Sequence, residues 1–235
     1  MDDKGIRINK YLSEAGVCSR RQADRFVEEG RVLIDGQPAS AGAKVMPDSV
    51  VELDHKVLCP VEEEVFLLFH KPKGIVCTAQ KREKDNVIDY LNYPVRIYPV
   101  GRLDKDSHGL LLLTNQGDMA NAITKAANAH EKEYVVRVNK PITGTFLVHM
   151  AQGVYLSELD RTTAPCKIKK LSDKEFSIIL TQGLNRQIRR MCKELGYRVM
   201  DLFRIRVMDF TLEGVPEGTY KTLTKEEIEG LKRKL

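Results

Sequence analysis

The N-terminal part of the chain combines two short helical patterns with two β-prone segments. Apolar residues between positions 8 and 15 recur at the spacing of an amphipathic helix, and Gly16 ends the pattern. Ser19 and Gln22 form the sequence signature of a capping box, which predicts a second helix with its apolar side chains inward. The β-prone segments follow at 31–34 and 50–53. Two helices and a few strands predict a complete small domain.

From Val65 onward, strand patterns alternate with helical ones. The predicted strands are 65–69, 97–100, 110–114, 134–138, 176–180 and 199–212. Asp118 is predicted to cap a helix that runs through Ala127. A second helix is predicted to begin at Asn185, and Thr224 with Glu227 is predicted to cap a terminal helix. Because helices interrupt the strands irregularly and without a repeat, we predict a mixed, largely antiparallel α+β domain.

The proline and glutamate run at 60–64 separates these two patterns and is typical of a linker. A chain of 235 residues is long enough for a small domain and a medium one. We therefore predict an N-terminal domain over residues 5–62 and a larger domain over residues 64–235.

The composition excludes several classes of protein. With 42% hydrophobic and 30% charged residues, the chain has enough apolar material to bury a core, which excludes a disordered chain. Its longest apolar stretches, such as 109–113, are far shorter than the ~20 residues of a membrane helix, and the first ten residues contain no apolar run typical of a signal peptide. The five cysteines are scattered without a Cys-x-x-Cys pair, so we expect neither a zinc site nor a disulfide framework. We expect a soluble, cytoplasmic protein.

Positive charge is concentrated in two parts of the sequence. The net charge is only +5, but residues 181–206 contain seven basic residues against two acidic ones. A second group lies near the N-terminus: Arg7, Lys10, Arg20, Arg21, Arg25 and Arg31. Two separate basic groups predict contact with a polyanion at two places, and solvated helix faces are the alternative interpretation.

Candidate catalytic groups are few. The sequence contains no glycine-rich phosphate loop, no His-x-x-x-His and no paired cysteines, which disfavours nucleotide and metal chemistry. The best candidate is a carboxylate in a loop between strands, either Asp104 or Asp106, although an aspartate in such a loop often only stabilises a turn. The helix predicted from Asn185 carries arginines, one of which lies on the core side with Ile188. An Asp–Arg pair would satisfy both buried groups.

Several motifs together resemble a known family. Segment 101–118, GRLDKDSHGLLLLTNQGD, is similar to the catalytic-aspartate motif of RsuA-like ribosomal RNA pseudouridine synthases. The other motifs of that family have counterparts here in the same order, at segments 71–74 (KPKG), 132–134 (KEY) and 182–191 (QGLNRQIRRM). The amino-acid sequence of the last two is most similar to that of the family's F-type, large-subunit subgroup. Segment 7–36 resembles the alpha-L RNA-binding domain of the ribosomal protein S-four type.

The resemblance implies a role for particular residues. Asp104 rather than Asp106 is then the catalytic aspartate, Tyr134 stacks on the target uracil, and Arg189 pairs with Asp104 and keeps it ionised. The resemblance assigns substrate binding to Arg102 and Leu202. The RNA-binding residues that it implies in the N-terminal domain are Arg7, Lys10, Ser19, Arg20 and Arg21.

The implied function is the isomerisation of a specific uridine in ribosomal RNA, with large-subunit RNA favoured and transfer RNA as a further substrate class. The reaction neither adds nor removes atoms, so we expect no cofactor and no metal. Two RNA contacts within one chain make a monomer sufficient, and no membrane partner is expected. Two alternatives stay open: a non-catalytic RNA-binding or ribosome-assembly protein, and a synthase acting on small-subunit ribosomal RNA or transfer RNA.

Overall fold

The computed structural model describes residues 5–59, 63–80 and 82–235, which divide into two compact units. The first unit comprises the described residues up to 65 together with 93–97 and 115–117, and the second comprises the rest. The α-helices of the described chain are α1 (Ile8–Glu14), α2 (Arg20–Glu28), α3 (Val87–Leu91), α4 (Gly117–Thr124), α5 (Gly144–Gln152), α6 (Gln187–Glu194) and α7 (Lys225–Lys232). Among these helices, none is both long and apolar enough to cross a membrane.

The strands are short in the first unit and longer in the second. In chain order they are β1 (Ile6–Arg7), β2 (Val32–Ile34), β3 (Gln37–Pro38), β4 (Lys44–Val45), β5 (Val51–Leu53), β6 (Lys56–Leu58), β7 (Phe66–Lys71), β8 (Tyr98–Val100), β9 (His108–Thr114), β10 (Lys132–Val138), β11 (Tyr155–Leu156), β12 (Arg161–Thr162), β13 (Lys167–Lys170), β14 (Glu175–Leu180), β15 (Val199–Val207), β16 (Phe210–Thr211) and β17 (Tyr220–Thr222). Two 3₁₀ turns, Ala126–Asn128 and Ser157–Leu159, complete the described elements.

In the first unit, α1 and α2 pack with a four-stranded antiparallel sheet of order β3-β2-β5-β6. The predicted capping box is present, because the Ser19 hydroxyl oxygen accepts from the Gln22 backbone N–H and the Gln22 side chain accepts from the Ser19 N–H. Ile8 and Leu12 of α1 are buried, as their helical spacing predicts. The two helices and the two strands predicted for this unit are therefore confirmed.

The second unit is organised by a nine-stranded sheet of order β13-β14-β10-β15-β9-β7-β17, in which β8 and β16 add to β9 and β15. Among the paired strands of the described chain, only β9 and β15 run parallel, which confirms the predicted largely antiparallel α+β domain. β9 reads HGLLLLT and is buried on both faces after its first residue, because it lies in the middle of the sheet.

Two hydrophobic cores cover different parts of this sheet. One joins α5 and α6 to β10, β14 and β15, and the other joins α4 and α7 to β7, β8 and β9. The parallel pair β9–β15 lies where the two parts meet. Loops and side chains from both parts of the sheet can therefore converge at this pair.

Some predicted boundaries are wrong. The helix predicted from Asn185 begins at Gln187, because Arg186 takes a left-handed backbone conformation at φ 49° that a helix cannot include. Asp118 is not a cap but lies within the first turn of α4, which ends at Thr124 instead of Ala127.

Further differences concern strands and elements that the patterns did not predict. The strand predicted over 199–212 is two strands, β15 and β16, separated by a turn in which Met208 has φ 52°. Helices α3 and α5 and strands β13 and β17 were not predicted. The predicted linker lies partly outside the described residues, which leave out 60–62, and the boundary between the predicted domains stays a prediction.

Candidate active site

The loop between β8 and β9 presents Asp104. It opens at Gly101, where φ is 74°, and the Ser107 N–H donates to the carbonyl of Asp104 (3.1 Å). The Asp104 side chain keeps 28% of its surface exposed and lines two adjoining clefts. Asp106 is more exposed, at 53%, and lines neither. The loop thus turns Asp104, rather than Asp106, toward a cavity.

A fully buried lysine holds this loop in place. The Lys71 ammonium donates to the carbonyls of Pro72 (2.9 Å) and Ser107 (2.8 Å) at the end of β7. Burial lowers the pKa of Lys71. The Gly74 N–H donates to the carbonyl of Lys105 (2.8 Å), so the 71–74 segment holds the loop at two points that follow Asp104.

Two arginines at the start of α6 contact the aspartates of the loop. Arg189 places its Nε 3.6 Å from Asp104 Oδ2 and its second terminal nitrogen 3.2 Å from Asp106 Oδ2. The same nitrogen donates to the carbonyl of Asp106 (3.2 Å) and to the Ser107 hydroxyl (3.0 Å). The left-handed conformation of Arg186 brings its guanidinium 3.4 Å from both carboxylates. The predicted Asp104–Arg189 pair is therefore present, with Arg186 as a second cation that the sequence did not single out for this position.

The two arginines favour the charged form of the Asp106 carboxylate. Burial raises the pKa of Asp106, but the hydrogen bond from Arg186 and the charges of Arg189 and Arg186 outweigh burial, so the net pKa is lowered. The side chain of Arg189 is only 14% exposed, so its charge acts on the two aspartates with little screening.

The smaller cleft, about 90 Å³, has the chemistry of a planar heterocycle site. Asp104 and Arg102 lie on its rim, and Leu202 from β15 and Tyr134 from β10 form part of its wall. Gln182 and Gln187 add amide groups to the lining; Gln187 donates to the Gln182 side-chain oxygen (3.4 Å), and the two side-chain oxygens accept from the backbone N–H groups of Leu184 and Ala164. The cleft thus combines apolar walls, an aromatic ring and amides beside one carboxylate.

Four of the five residues predicted for catalysis and substrate binding line this one cleft: Asp104, Tyr134, Arg102 and Leu202. The fifth, Arg189, lies behind Asp104 and contacts it. The Tyr134 hydroxyl has no hydrogen-bond partner among the described residues, and Leu202 is 6% exposed. The structure brings these residues together, and their roles stay predictions.

A larger cleft, of about 400 Å³, adjoins the first and shares Asp104, Arg102, Tyr134 and Arg186 with it. Two further cations line it, Lys132 from β10 and Arg204 from β15. Arg204 is 4% exposed and donates to the carbonyls of Leu110 (2.7 Å) and Arg102 (3.4 Å). The sequence-based site did not include Lys132, Arg186, Gln187 or Arg204, although each lies in or near a motif quoted for it.

The basic residues of segment 181–206 do not form one surface patch. Arg190 and Lys193 pair with Glu158, and Arg206 pairs with Glu131 and Glu133. These residues serve the structure of the second unit, and only Arg186, Arg189 and Arg204 lie at the clefts. The interpretation of segment 181–206 as one basic patch is therefore wrong, because ion pairs within the fold neutralise part of its charge.

In the first unit, Arg7, Lys10 and Arg20 line one groove, while Arg21 lies on the exposed face of α2. Ser19 uses its hydroxyl oxygen in the capping box. Arg31 is paired with Asp54 and Glu29 and stacks over Phe26, so its charge is already compensated. The RNA-binding roles predicted for the other residues of this unit stay predictions.

Within the described residues, no group of three or more His, Cys, Asp or Glu side chains is arranged to hold a metal ion. The five cysteines are free. Burial raises the pKa of Cys192 to about 12 and that of Cys166 to about 11, so neither thiol is a thiolate near neutral pH.

Comparison with known proteins identifies this arrangement. A family model of RNA pseudouridylate synthases matches residues 65–194, and an S4-domain model matches residues 6–51. The chain belongs to the RNA pseudouridylate synthase family and is an RNA pseudouridine synthase.

Individual relatives extend the match over nearly the whole chain. The dual-specificity RNA pseudouridine synthase RluF of Escherichia coli (strain K12) is 47% identical over 97% of this chain and 79% of its own length. The ribosomal large subunit pseudouridine synthase B of Bacillus subtilis (strain 168) is 36% identical over 96% of this chain and 95% of its own. A crystal structure of a pseudouridylate synthase superposes with a TM-score of 0.71 at 29% identity, covering 96% of this chain and 99% of the other. These matches confirm the family and the N-terminal domain that the sequence motifs indicated.

Proposed function

We propose that this synthase isomerises a uridine of ribosomal RNA, with large-subunit RNA as the principal substrate, and that Asp104 performs the chemistry. The observation that carries the assignment to Asp104 is its place in the lining of the smaller cleft, which Tyr134 also lines, beside two arginines. The ribosomal large-subunit relative from B. subtilis supports the substrate class.

The reaction breaks the N1–C1′ bond of the uridine, turns the uracil and joins C5 to C1′. One proton leaves C5 and one is gained at N1, so the product is an isomer of the substrate. The uracil leaves its stack to reach the cleft, which costs a few kcal/mol. Stacking on Tyr134 offsets this cost, because an aromatic ring against a base contributes ~1–3 kcal/mol.

Each residue of the cleft has a part in this mechanism. Asp104 acts as the anionic group next to the glycosidic bond, and Arg189 and Arg186 contact its carboxylate and orient it. Gln182, Gln187 and Leu202 enclose the uracil, and Arg102 holds the flipped nucleotide at the rim. The proposed role of Ser19 is structural as well as RNA-binding, since its hydroxyl caps α2.

RNA affinity has a second source in the first unit. Arg7, Lys10, Arg20 and Arg21 contact backbone phosphates and contribute register rather than chemistry. We further propose that the protein works as a monomer in the cytoplasm, since one chain contains both the RNA-binding groove and the catalytic cleft.

The experiment that tests this function maps pseudouridines chemically in ribosomal and transfer RNA from cells that lack the gene. We expect one or a few positions of large-subunit RNA to lose the modification and to regain it when the wild-type gene is restored. A loss confined to small-subunit RNA or to transfer RNA would overturn the proposed substrate class. If the pseudouridines of large-subunit, small-subunit and transfer RNA were all unchanged, the protein would have no uridine substrate among these RNAs, and the proposal would be overturned.

A further inference from the structure

The larger cleft contains two cations that no acidic group of the described chain compensates. Among the described residues, Lys132 makes no ion pair and donates one hydrogen bond, to the carbonyl of His130 (3.0 Å). Arg204 donates only to main-chain carbonyls, those of Leu110 and Arg102. All of these partners are neutral, so the cleft wall carries an uncompensated positive charge.

Uncompensated charge of this kind is costly away from water. Lys132 is partly buried and Arg204 is almost fully buried, and both line the same cavity. Burial, reinforced by the nearby Arg204 charge, lowers the pKa of Lys132. An anion placed between the two side chains would raise the pKa of Lys132 again and supply acceptors for its unused donors.

The position of Lys132 and Arg204 in the larger cleft indicates which anion they bind. The smaller cleft accommodates a base, and the larger one adjoins it, with Asp104, Arg102 and Tyr134 common to both. A flipped nucleotide with its base in the smaller cleft therefore places its ribose and phosphate in the larger one. The cavity of about 400 Å³ is open enough to admit them.

We propose that Lys132 and Arg204 form a phosphate subsite that binds the RNA phosphodiester next to the flipped uridine. The inference rests on the proposed function, since the RNA strand supplies the anion. Lys132 is a binding residue in this account, while Arg204 also supports the β8–β9 loop through the Arg102 carbonyl.

Binding measurements test the subsite without turnover. RNA carrying the mapped uridine is titrated at several salt concentrations against Asp104→Asn protein, with and without Lys132→Gln. We expect Lys132→Gln to weaken binding about tenfold at low salt and to reduce the slope of log Kd against log salt by about 0.7, which corresponds to one phosphate of a single strand. The matched control is Lys169→Gln, an exposed lysine of β13 outside the clefts, which we expect to leave the slope unchanged.

A second measurement identifies the phosphate. Each phosphodiester flanking the uridine is replaced in turn by an uncharged methylphosphonate. We expect one linkage to weaken binding to the Asp104→Asn protein about tenfold and to have no further effect once Lys132 is replaced by Gln. This non-additivity distinguishes a backbone phosphate from a free phosphate ion, whose binding does not depend on the linkages of the RNA.

Equal salt slopes for Lys132→Gln and Lys169→Gln would overturn the subsite, and so would a methylphosphonate effect that persists unchanged in Lys132→Gln. If Lys132→Gln does not fold, the methylphosphonate series on protein with Lys132 intact decides, since insensitivity at every linkage contradicts the proposal. A protein that binds RNA with these slopes but makes no pseudouridine would contradict the proposed function and leave the subsite standing.

Discussion

The two units of this protein use positive charge in opposite ways. In the first unit, Arg20 and Arg21 lie at the exposed start of α2, where they are available to a polyanion. In the second unit, Arg189 is 14% exposed and held by Asp104, Asp106 and Ser107. The same residue type is therefore solvent-exposed in one unit, and in the other it is largely buried and holds a loop with two carboxylates; the proposed function assigns RNA affinity to the first and orientation of Asp104 to the second.

This difference shows why a count of basic residues is a weak guide to a binding surface. Segment 181–206 has the larger surplus in the sequence, but Arg190, Lys193 and Arg206 are compensated by glutamates within the fold. Segment 7–31 of the first unit has the smaller surplus, with six basic residues against four acidic ones, although Arg7, Lys10 and Arg20 share one groove. Burial and pairing decide what an arginine does, and neither is visible in the composition.

The largest effect is expected when the ion pairs of Arg189 with Asp104 and Asp106 are removed. Arg189→Met removes the contacts to both aspartates and to Ser107, so Asp104 loses the cation that also fixes its loop and keeps only Arg186 beside it. We expect the single-turnover rate to fall at least ~100-fold. Arg189→Lys restores little, because a lysine lacks the fork that reaches several partners at once. Arg190→Met removes the pair with Glu158 and the hydrogen bonds to Asn185 but no contact to either aspartate, so it should keep turnover within a few fold; a similar loss in both variants would contradict the account.

The second prediction concerns the framework behind the site. Gly109 has φ 110°, and a Cβ there would lie 2.3 Å from the Arg204 carbonyl oxygen across the parallel β9–β15 pair. We expect Gly109→Ala to lower the free energy of unfolding of the second unit by about 3 kcal/mol or more, measured in denaturant. The control is Gly144→Ala at the start of α5, where the added methyl meets nothing within 4 Å and stability should be unchanged or slightly higher. Equal stability of the two variants would contradict this prediction, because it would show that β9 and β15 can move apart to admit the methyl group at little cost.

The third prediction tests the available charge of the first unit. Replacing Arg20 and Arg21 by Ala should weaken RNA binding about tenfold or more at low salt and reduce the salt slope by about 1.4 to 1.8, because two phosphate contacts are lost. Arg31→Ala is the matched control in the same unit, since its guanidinium is paired with Asp54 and Glu29 and should leave the slope unchanged. A slope change as large in the control would mean that paired and unpaired arginines of this unit contribute alike.

The smallest effect is an acid-dependent one in the second unit. Burial raises the pKa of Asp201, but hydrogen bonds with Lys73 and His108 outweigh burial, so the net pKa lies below its usual value. A lowered pKa in the folded state stabilises the protein above the unfolded-state pKa of ~3.9, and this stabilisation is lost as the pH falls through the folded-state value. Asp201→Asn should therefore lower Tm by about 2 °C at pH 6 and by less below pH 3. The exposed Asp173→Asn should show no such pH dependence; the same profile in both would contradict the pairing.

Much of the fold could be predicted from local pattern. The capping boxes at Ser19 and Thr224 are present, because the groups that form them lie three residues apart and need no distant partner. Strand β9 could be predicted because its sequence contains an unbroken apolar run, which is typical of a strand buried on both faces.

Elements that depend on distant contacts were harder to predict. α5 was missed, although Phe146 and Met150 are buried against β14 and its neighbours, because its apolar residues at 146–148 are consecutive and do not mark one helix face, and because Gly144 opens it. β13 reads KIKK and is an exposed edge strand, so its residues carry little hydrophobic signal.

The candidate site divides in the same manner. Asp104, Tyr134 and Arg189 were singled out by motifs that resemble those of a family, and the structure brings them to one cleft. The motifs did not single out Lys132 and Arg204. These two cations stand out only in the structure, where both donate to main-chain carbonyls and neither pairs with a carboxylate of the described residues. Such a lack of compensation is a property of the folded chain and has no signature in the sequence.

The most direct test of the account is the single-turnover rate of pseudouridine formation by wild type, Asp104→Asn and Asp106→Asn on one RNA fragment containing the mapped uridine, with Kd measured for each. The account predicts a rate at least about 10⁴-fold lower for Asp104→Asn, with Kd within a few fold of wild type, and a rate within about tenfold of wild type for Asp106→Asn. Turnover by Asp104→Asn near the wild-type rate, or its loss in Asp106→Asn alone, would contradict the assignment of the chemistry to Asp104.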